Sequence, residues 1–510
     1  MGRAPCVGLG LLLAGGASGC AQLFGLDPTS AAIDAGATEM TATIERIWVG
    51  ASVVSEPEDI ALAQGTVAFL VAAPGDSTAT AGYLSVPATQ SPVGTWTASV
   101  PDGDVIADVT IRGERHLWAL PGRSFQLADL AIGHADTAIA QPSAALAISV
   151  TLPPDLDAAG SAESYVADEI GPWLTGPLVH MATPSITYTL STYSSTIPPI
   201  VGMSPMPGAP ASPYLALDTT DEVVVLGYAG AQLTGALATP GFDESISEQV
   251  NGAMTDVAIT QTFAASVDPA TVRSRLSAVR PAVVNPAIAW AITAAPGANY
   301  GVPVGVSLES GVVGEGDTGV QAMFGNPFTG GGSGSGGGSG SDVIPDWPAV
   351  VAYTASESRM PTPGSGSVEA GAESIVAASS GAQALDLPGA IPDVIALEGT
   401  MLALDEQSVT LDDTVYAPIG LSADRTGVTL YEATIYDASA SGFAYVLDVV
   451  ATDPSGLLVP PSVFQSGHDY IIRVQCTSGG YTNAASGDLV TASLPFQTGY
   501  SWSGTFTVTQ

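Results

Sequence analysis

The chain has 510 residues, 49 of them acidic against 11 basic, and a formal net charge of −38. All 11 basic residues are arginine, which excludes a phosphate-binding Lys loop, a Schiff-base lysine, a Ser-x-x-Lys acylase and a Lys–Asn isopeptide staple. So acidic a surface repels nucleic acid and anionic headgroups, and acids spread over many loops read as solvation, with loose Ca²⁺ binding as the functional alternative.

In chain order the first feature is N-terminal. Arg3 precedes a brief apolar run through Val7, Leu9, Leu11, Leu12 and Leu13, too short to span a bilayer. Small residues lead to Ala17-Ser18-Gly19-Cys20. The segment resembles a bacterial lipoprotein signal, which implies cleavage before Cys20 and lipid attachment there. Ala21 in place of Asp resembles the outer-membrane-directed case, on the periplasmic or the surface side. An ordinary secretory signal cut nearby is the alternative, and either one exports the chain. Cys6 leaves with the signal and Cys20 takes the lipid, so Cys476 remains alone and no intrachain disulfide forms in the body. Residues 21–41 are small, acidic and unpatterned, as a tether would be.

Beyond the tether, Gly 59 and Pro 38 with almost no helical periodicity point to an all-β protein. The length suggests about three domains. A first region, 42–142, carries strand patterns at 43–48, 66–72, 82–86, 95–100, 105–112 and 117–120, at the spacing of a β-sandwich. A second region, 143–392, has strands at 185–191, 222–228 and 254–263, then one short helix. Asp268 can cap that helix, Pro269 suits its first turn, and Val272, Leu276 and Val279 share a face. Arg273, Arg275 and Arg280 cluster at its end, where the dipole and nearby acids account for them. A strand at 286–293 follows, with Ile288, Trp290 and Ile292 in alternation.

Residues 330–341 are only Gly and Ser, and such a tract is flexible. Strand patterns at 320–324 and 348–353 flank it. They can pair as a hairpin with an overlong tip, the favoured reading, or the tract can link two separate bodies.

The last region, 393–510, is the best patterned. Strands at 428–436 and 443–451 flank a turn at 437–442, and 458–464 leads into Tyr470-Ile-Ile-Arg-Val474. This approach to a penultimate strand resembles fibronectin type III and immunoglobulin-like domains. That resemblance implies a corner role for Tyr470, its hydroxyl bonded back to the preceding loop. The chain as a whole resembles bacterial surface lipoproteins built from Ig-like modules. The expected fold is therefore tandem β-sandwiches with one short helix and a long Gly/Ser loop.

Chemical motifs are sparse. Asp317-Thr318-Gly319 matches an aspartic-protease triplet, but no second copy exists and Gly314-Glu-Gly316 before it is turn composition. His116, His134, His180 and His468 lie at no metal-ligand spacing, and His116 reads as a half-exposed strand histidine. Acidic clusters that could hold Ca²⁺ are Asp102/Asp104, Asp218/Asp221/Glu222, and Asp405/Glu406 with Asp412/Asp413, though none fits a twelve-residue Ca²⁺ loop. No other cofactor and no catalytic constellation is indicated. Cys476 sits in an apolar strand and reads as a small buried hydrophobe. Trp96, Trp118, Trp173 and Trp502 could stack on sugar rings or fill cores. The expected role is adhesion, scaffolding or ligand display without catalysis, with a protein or glycan as partner. The alternative is a carbohydrate-binding or polysaccharide-processing protein.

Overall fold

The computed structural model describes residues 37–49, 53–57, 65–73, 80–111, 113–132, 146–151, 160–168, 171–175, 179–180, 185–190, 222–239, 248–281, 283–295, 298–300, 305–327, 347–360, 367–378, 382–387, 391–403, 406–422, 426–439 and 443–509. The expected signal, Cys20, residues 21–36 of the expected tether, Asp218, Asp221, Asp405, His134 and the tract 330–341 lie outside them, while the tether's last residues, 38–41, are corrected to strand, since they open Thr38–Val49.

The strands that position the site are, in chain order, β1 (Thr38–Val49), β2 (Thr66–Ala72), β3 (Tyr83–Pro87), β4 (Thr95–Val100), β5 (Val105–Ile111), β6 (Glu114–Ala119), β7 (Ser124–Ile132), β8 (Gln261–Ser266), β9 (Ala287–Ala294), β10 (Val306–Val312), β11 (Gly319–Phe324), β12 (Ala349–Arg359) and β13 (Val368–Ala377). The last region adds β14 (Gln407–Thr410), β15 (Val428–Asp437), β16 (Ala444–Ala451), β17 (Asp469–Gly480), β18 (Ser493–Trp502) and β19 (Phe506–Thr509). The fold is all-β. Among the described residues there is one α-helix, α1 (Pro269–Ser277), where the Thr271 amide donates to Asp268 Oδ1 at 3.1 Å and Val272 and Leu276 are buried.

One sheet of 14 strands dominates, in the order β10-β9-β12-β13-β18-β17-β15-β16-β6-β5-β2-β3, with β14 and β19 added through β17. All three sequence regions contribute strands to it. The seam between the last region and the first is parallel: β16 pairs β6, with Asp448 opposite His116 and Ala451 opposite Ala119. Period-2 alternation then gives the sheet a core on each face. On one face, Leu117, Tyr431, Ala433, Ile435, Val449, Ile472, Val474 and Cys476 pack against Ile395, Leu397, Ala417 and Ile419 of a smaller facing sheet. That is the sandwich expected for the last region. On the other face, Phe69, Val109, Trp118, Val450 and Phe496 meet Met40, Ile44, Trp96, Phe125 and Leu127 from β1, β4 and β7.

The hairpin reading across the Gly/Ser tract is corrected. β11 pairs with β8, while β12 pairs with β9 and β13, so the two flanking strands lie in different sheets. They still share a core, since Val320, Ala322 and Phe324 pack in one cluster with Trp347, Val351 and Tyr353. The Asn326 side chain also donates to the Trp347 carbonyl at 3.0 Å. Strand periodicity specifies which residues face inward, not which neighbour a strand chooses, and here both strands face one core from opposite sheets.

Candidate functional site

The most chemically dense part of the structure is a register row across five strands of the large sheet. His116 on β6 lies opposite Asp448 on β16, Asp448 opposite Thr434 on β15, Thr434 opposite Arg473 on β17, and Arg473 opposite Trp502 on β18. The adjoining row runs Trp118, Val450, Glu432, Gln475, Tyr500. Cross-strand neighbours on one face are close enough for side chains to touch, so the register itself gathers these groups.

Asp448 and His116 are fully buried and Glu432 is 5% exposed. Thr434 Oγ1 donates to Asp448 Oδ1 at 3.1 Å, and His116 Nδ1 lies 3.9 Å from Asp448 Oδ2. Burial holds the Asp448 carboxyl well above the usual range. Glu432 is pushed up to about 8, first by burial and then by Asp448, with Arg473 acting the other way. The Arg473 guanidinium lies 3.9 Å from Glu432 Oε1, donates to Gln475 Oε1 at 2.7 Å and sits 5.4 Å from the centre of the Tyr500 ring. Tyr445 closes the row, its hydroxyl donating to the Arg115 carbonyl at 2.8 Å and lying 3.4 Å from His116 Nδ1.

At the Trp502 end of this row stands a cluster of half-buried rings. Trp502 lies 5.4 Å from Tyr436 and 6.0 Å from Phe443, and Tyr436 meets Tyr445 edge-on at 6.3 Å. The Trp502 indole N–H donates to the Glu369 carbonyl at 2.8 Å, which fixes its plane. The two acids are buried, whereas the rings of Tyr436, Phe443, Tyr445 and Trp502 are partly exposed.

His116 is thus corrected from half-exposed to buried. The other residues singled out in the sequence fall elsewhere. Trp96 and Trp118 are core residues, and Trp173 lies in the strand Gly171–Thr175 with its side chain not described. Glu222 opens the strand Glu222–Ala229, also without a described side chain, and His180 lies in the short strand Val179–His180. Asp412 accepts from the amide and hydroxyl of Thr414 at 2.8 and 2.6 Å, closing its own turn, with the hydroxyl bond holding its pKa down. Asp413 is exposed. Asp102 bonds Thr38 and Arg123, Asp104 lends its carbonyl to the Ala72 amide, and Glu406 has φ +62. Among the described residues no three His, Cys, Asp or Glu side chains gather as cation ligands would.

Asp317 accepts from the Gly314 amide at 2.7 Å, a turn. Arg275 pairs with Asp386 at 3.4 Å, while Arg273 and Arg280 bond the backbone carbonyls of Pro286, Ser277 and Val279. His468 lies 3.0 Å from Asp437. Cys476 is buried, its thiol pushed up to about 12. The Tyr470 hydroxyl accepts from the Gln465 amide at 2.7 Å, in the loop just before β17.

The sequence reading missed Glu432, Asp448, Arg473 and the rings around Trp502. A signal was present: Asp448 interrupts Val446-Leu447 and Val449-Val450, and Glu432 and Thr434 occupy one phase of β15 while Tyr431, Ala433 and Ile435 occupy the other.

No protein-family model matches the chain, and no curated protein matches it. Among solved structures, a candidate adhesin from Bacteroides ovatus aligns over 48% of this chain and 89% of its own, at 10% identity and a TM-score of 0.15. A likeness that loose carries no argument.

Proposed function

We propose that the protein is an exported, lipid-anchored surface protein that works by holding a partner, in adhesion, scaffolding or ligand display, and not by catalysis. The observation that carries this reading is the row His116–Asp448–Thr434–Arg473–Trp502, in which His116 and Asp448 are buried and the partly exposed groups are Arg473 and the Trp502 ring. A catalytic acid or base must reach a substrate proton, and buried Glu432 and Asp448 do not. Outer-membrane placement rests on the lipoprotein-like segment ending at Cys20. Metabolic labelling with an acyl-chain analogue tests the anchor: the wild type takes up label and Cys20→Ser does not, whereas an unlabelled wild type or a labelled variant overturns it.

A second reading, glycan recognition, is favoured by one observation. Trp502, Tyr436 and Phe443 form a half-exposed ring cluster beside a pair of carboxyls, and rings so placed suit the apolar faces of sugars.

A further inference from the structure

A cleft of about 300 Å³ opens where the first and last regions meet, with none of the Trp502 cluster in its lining. β2, β3, β5 and β6 supply one wall, and Tyr416 with the turn at Pro460, Pro461 and Ser462 supplies the other. The Tyr83 and Tyr416 rings meet there at 4.6 Å with their planes 52° apart. Beside them Arg115 is held in a fork by Asp108, Nε to Oδ1 at 2.9 Å and a terminal nitrogen to Oδ2 at 2.7 Å. Burial pushes the Tyr416 hydroxyl up to about 12, so it remains a donor.

We propose that this cleft binds one or two units of a neutral glycan. The inference shares the ligand class of the second reading above but rests on the lining of this cleft, which holds none of the Trp502 cluster. Two half-buried tyrosine rings offer surface to the C–H face of a sugar, over a floor that includes buried Pro460 and Pro461. The Arg–Asp fork fixes donors and acceptors side by side, the pairing that adjacent hydroxyls require, because each hydroxyl both donates and accepts. The volume lies at the lower end of small-ligand sites. Charge selects against the alternatives. Asp108 neutralises Arg115, Asp413 adds a carboxylate at the wall, and the chain carries −38 overall, so an anion is repelled. A cation would have to sit against the fixed guanidinium.

The test uses the full-length protein on an array of neutral oligosaccharides, sialylated and sulfated glycans, and phosphocholine. Neutral glycans should be retained. Tyr416→Ala should weaken binding about tenfold or more. Ser462→Trp plugs the cleft from an exposed position, and should abolish binding with the thermal midpoint unchanged even where the tyrosine variant loses stability. Val312→Ala, at an exposed position on the opposite edge strand of the large sheet, should leave binding intact. If neutral glycans bind, but Trp502→Ala removes binding and Ser462→Trp does not, the cleft assignment falls and glycan recognition stands. Retention of charged glycans or phosphocholine alone overturns the neutral-ligand assignment. Retention of nothing overturns both.

Discussion

At the scale of single residues, the decisive feature is a pair of carboxyls folded into the sheet without full ionic compensation. Glu432 is pushed from 4.5 up to about 8 and Asp448 is raised in the same sense, both chiefly by burial. Glu373, half-buried on β13, is pushed up to about 7 by burial and Glu369. Between pH 4.5 and 8 the unfolded chain releases the Glu432 proton while the folded chain keeps it. Folding therefore binds protons across this window, and stability falls as pH rises through it. Thermal melts should show a midpoint that declines from the lower to the upper end. Glu432→Gln, which keeps the shape and removes the ionisation, should flatten that decline; an unchanged slope would contradict the assignment. His116 illustrates why such a site is hard to read in advance. A histidine opening an apolar strand gives no local sign of burial, which here depends on Asp448 and Tyr445 far along the chain.

At the scale of elements, β17 and β18 join through an irregularity at Gly479 and Gly480, whose φ values are +72 and +61. A Cβ on Gly480 would lie 2.1 Å from the ring of Phe496, itself a core residue. Gly480→Ala should cost about 2–4 kcal/mol through combined overpacking and backbone strain, measured as a lowered urea midpoint. Elements of this kind were largely legible. The hairpin of β15 and β16, the Asp268 cap of α1 and the alternation of β9 all follow from local pattern. What the pattern withheld was partnership. Val320, Ala322 and Phe324 announce an inward face equally well for a hairpin with β12 or for the pairing with β8 that forms. The ring cluster was half legible: Trp502 stood out as a tryptophan, but Tyr436 and Phe443 join it only through the register of β15, β17 and β18.

At the scale of the whole molecule, the pieces on either side of residues 330–341 share a core without pairing as neighbours. A protease site inserted in that tract and cut should yield two fragments that co-elute in native gel filtration, held by the cluster of Phe324, Trp347 and Tyr353. Separate elution would mean that this core does not bind the halves. The parallel joint of β6 and β16 closes over a sequence separation of 332 residues, His116 to Asp448, a distant contact of the kind that slows folding. A different consequence follows from β1, the first described strand. It lies parallel to β7 over nine consecutive register positions, Thr41 to Val49 against Ser124 to Ile132. β7 is stitched in turn to the last region, with Gln126 exchanging backbone hydrogen bonds with Gly487 and Leu489 at 2.8 Å. Tension drawn through the N-terminal end of β1 runs along the strand axis, so these rungs resist together as a shear joint instead of opening one at a time. An anchor at that end would leave the protein mechanically stiff along the direction in which a surface-held molecule is pulled.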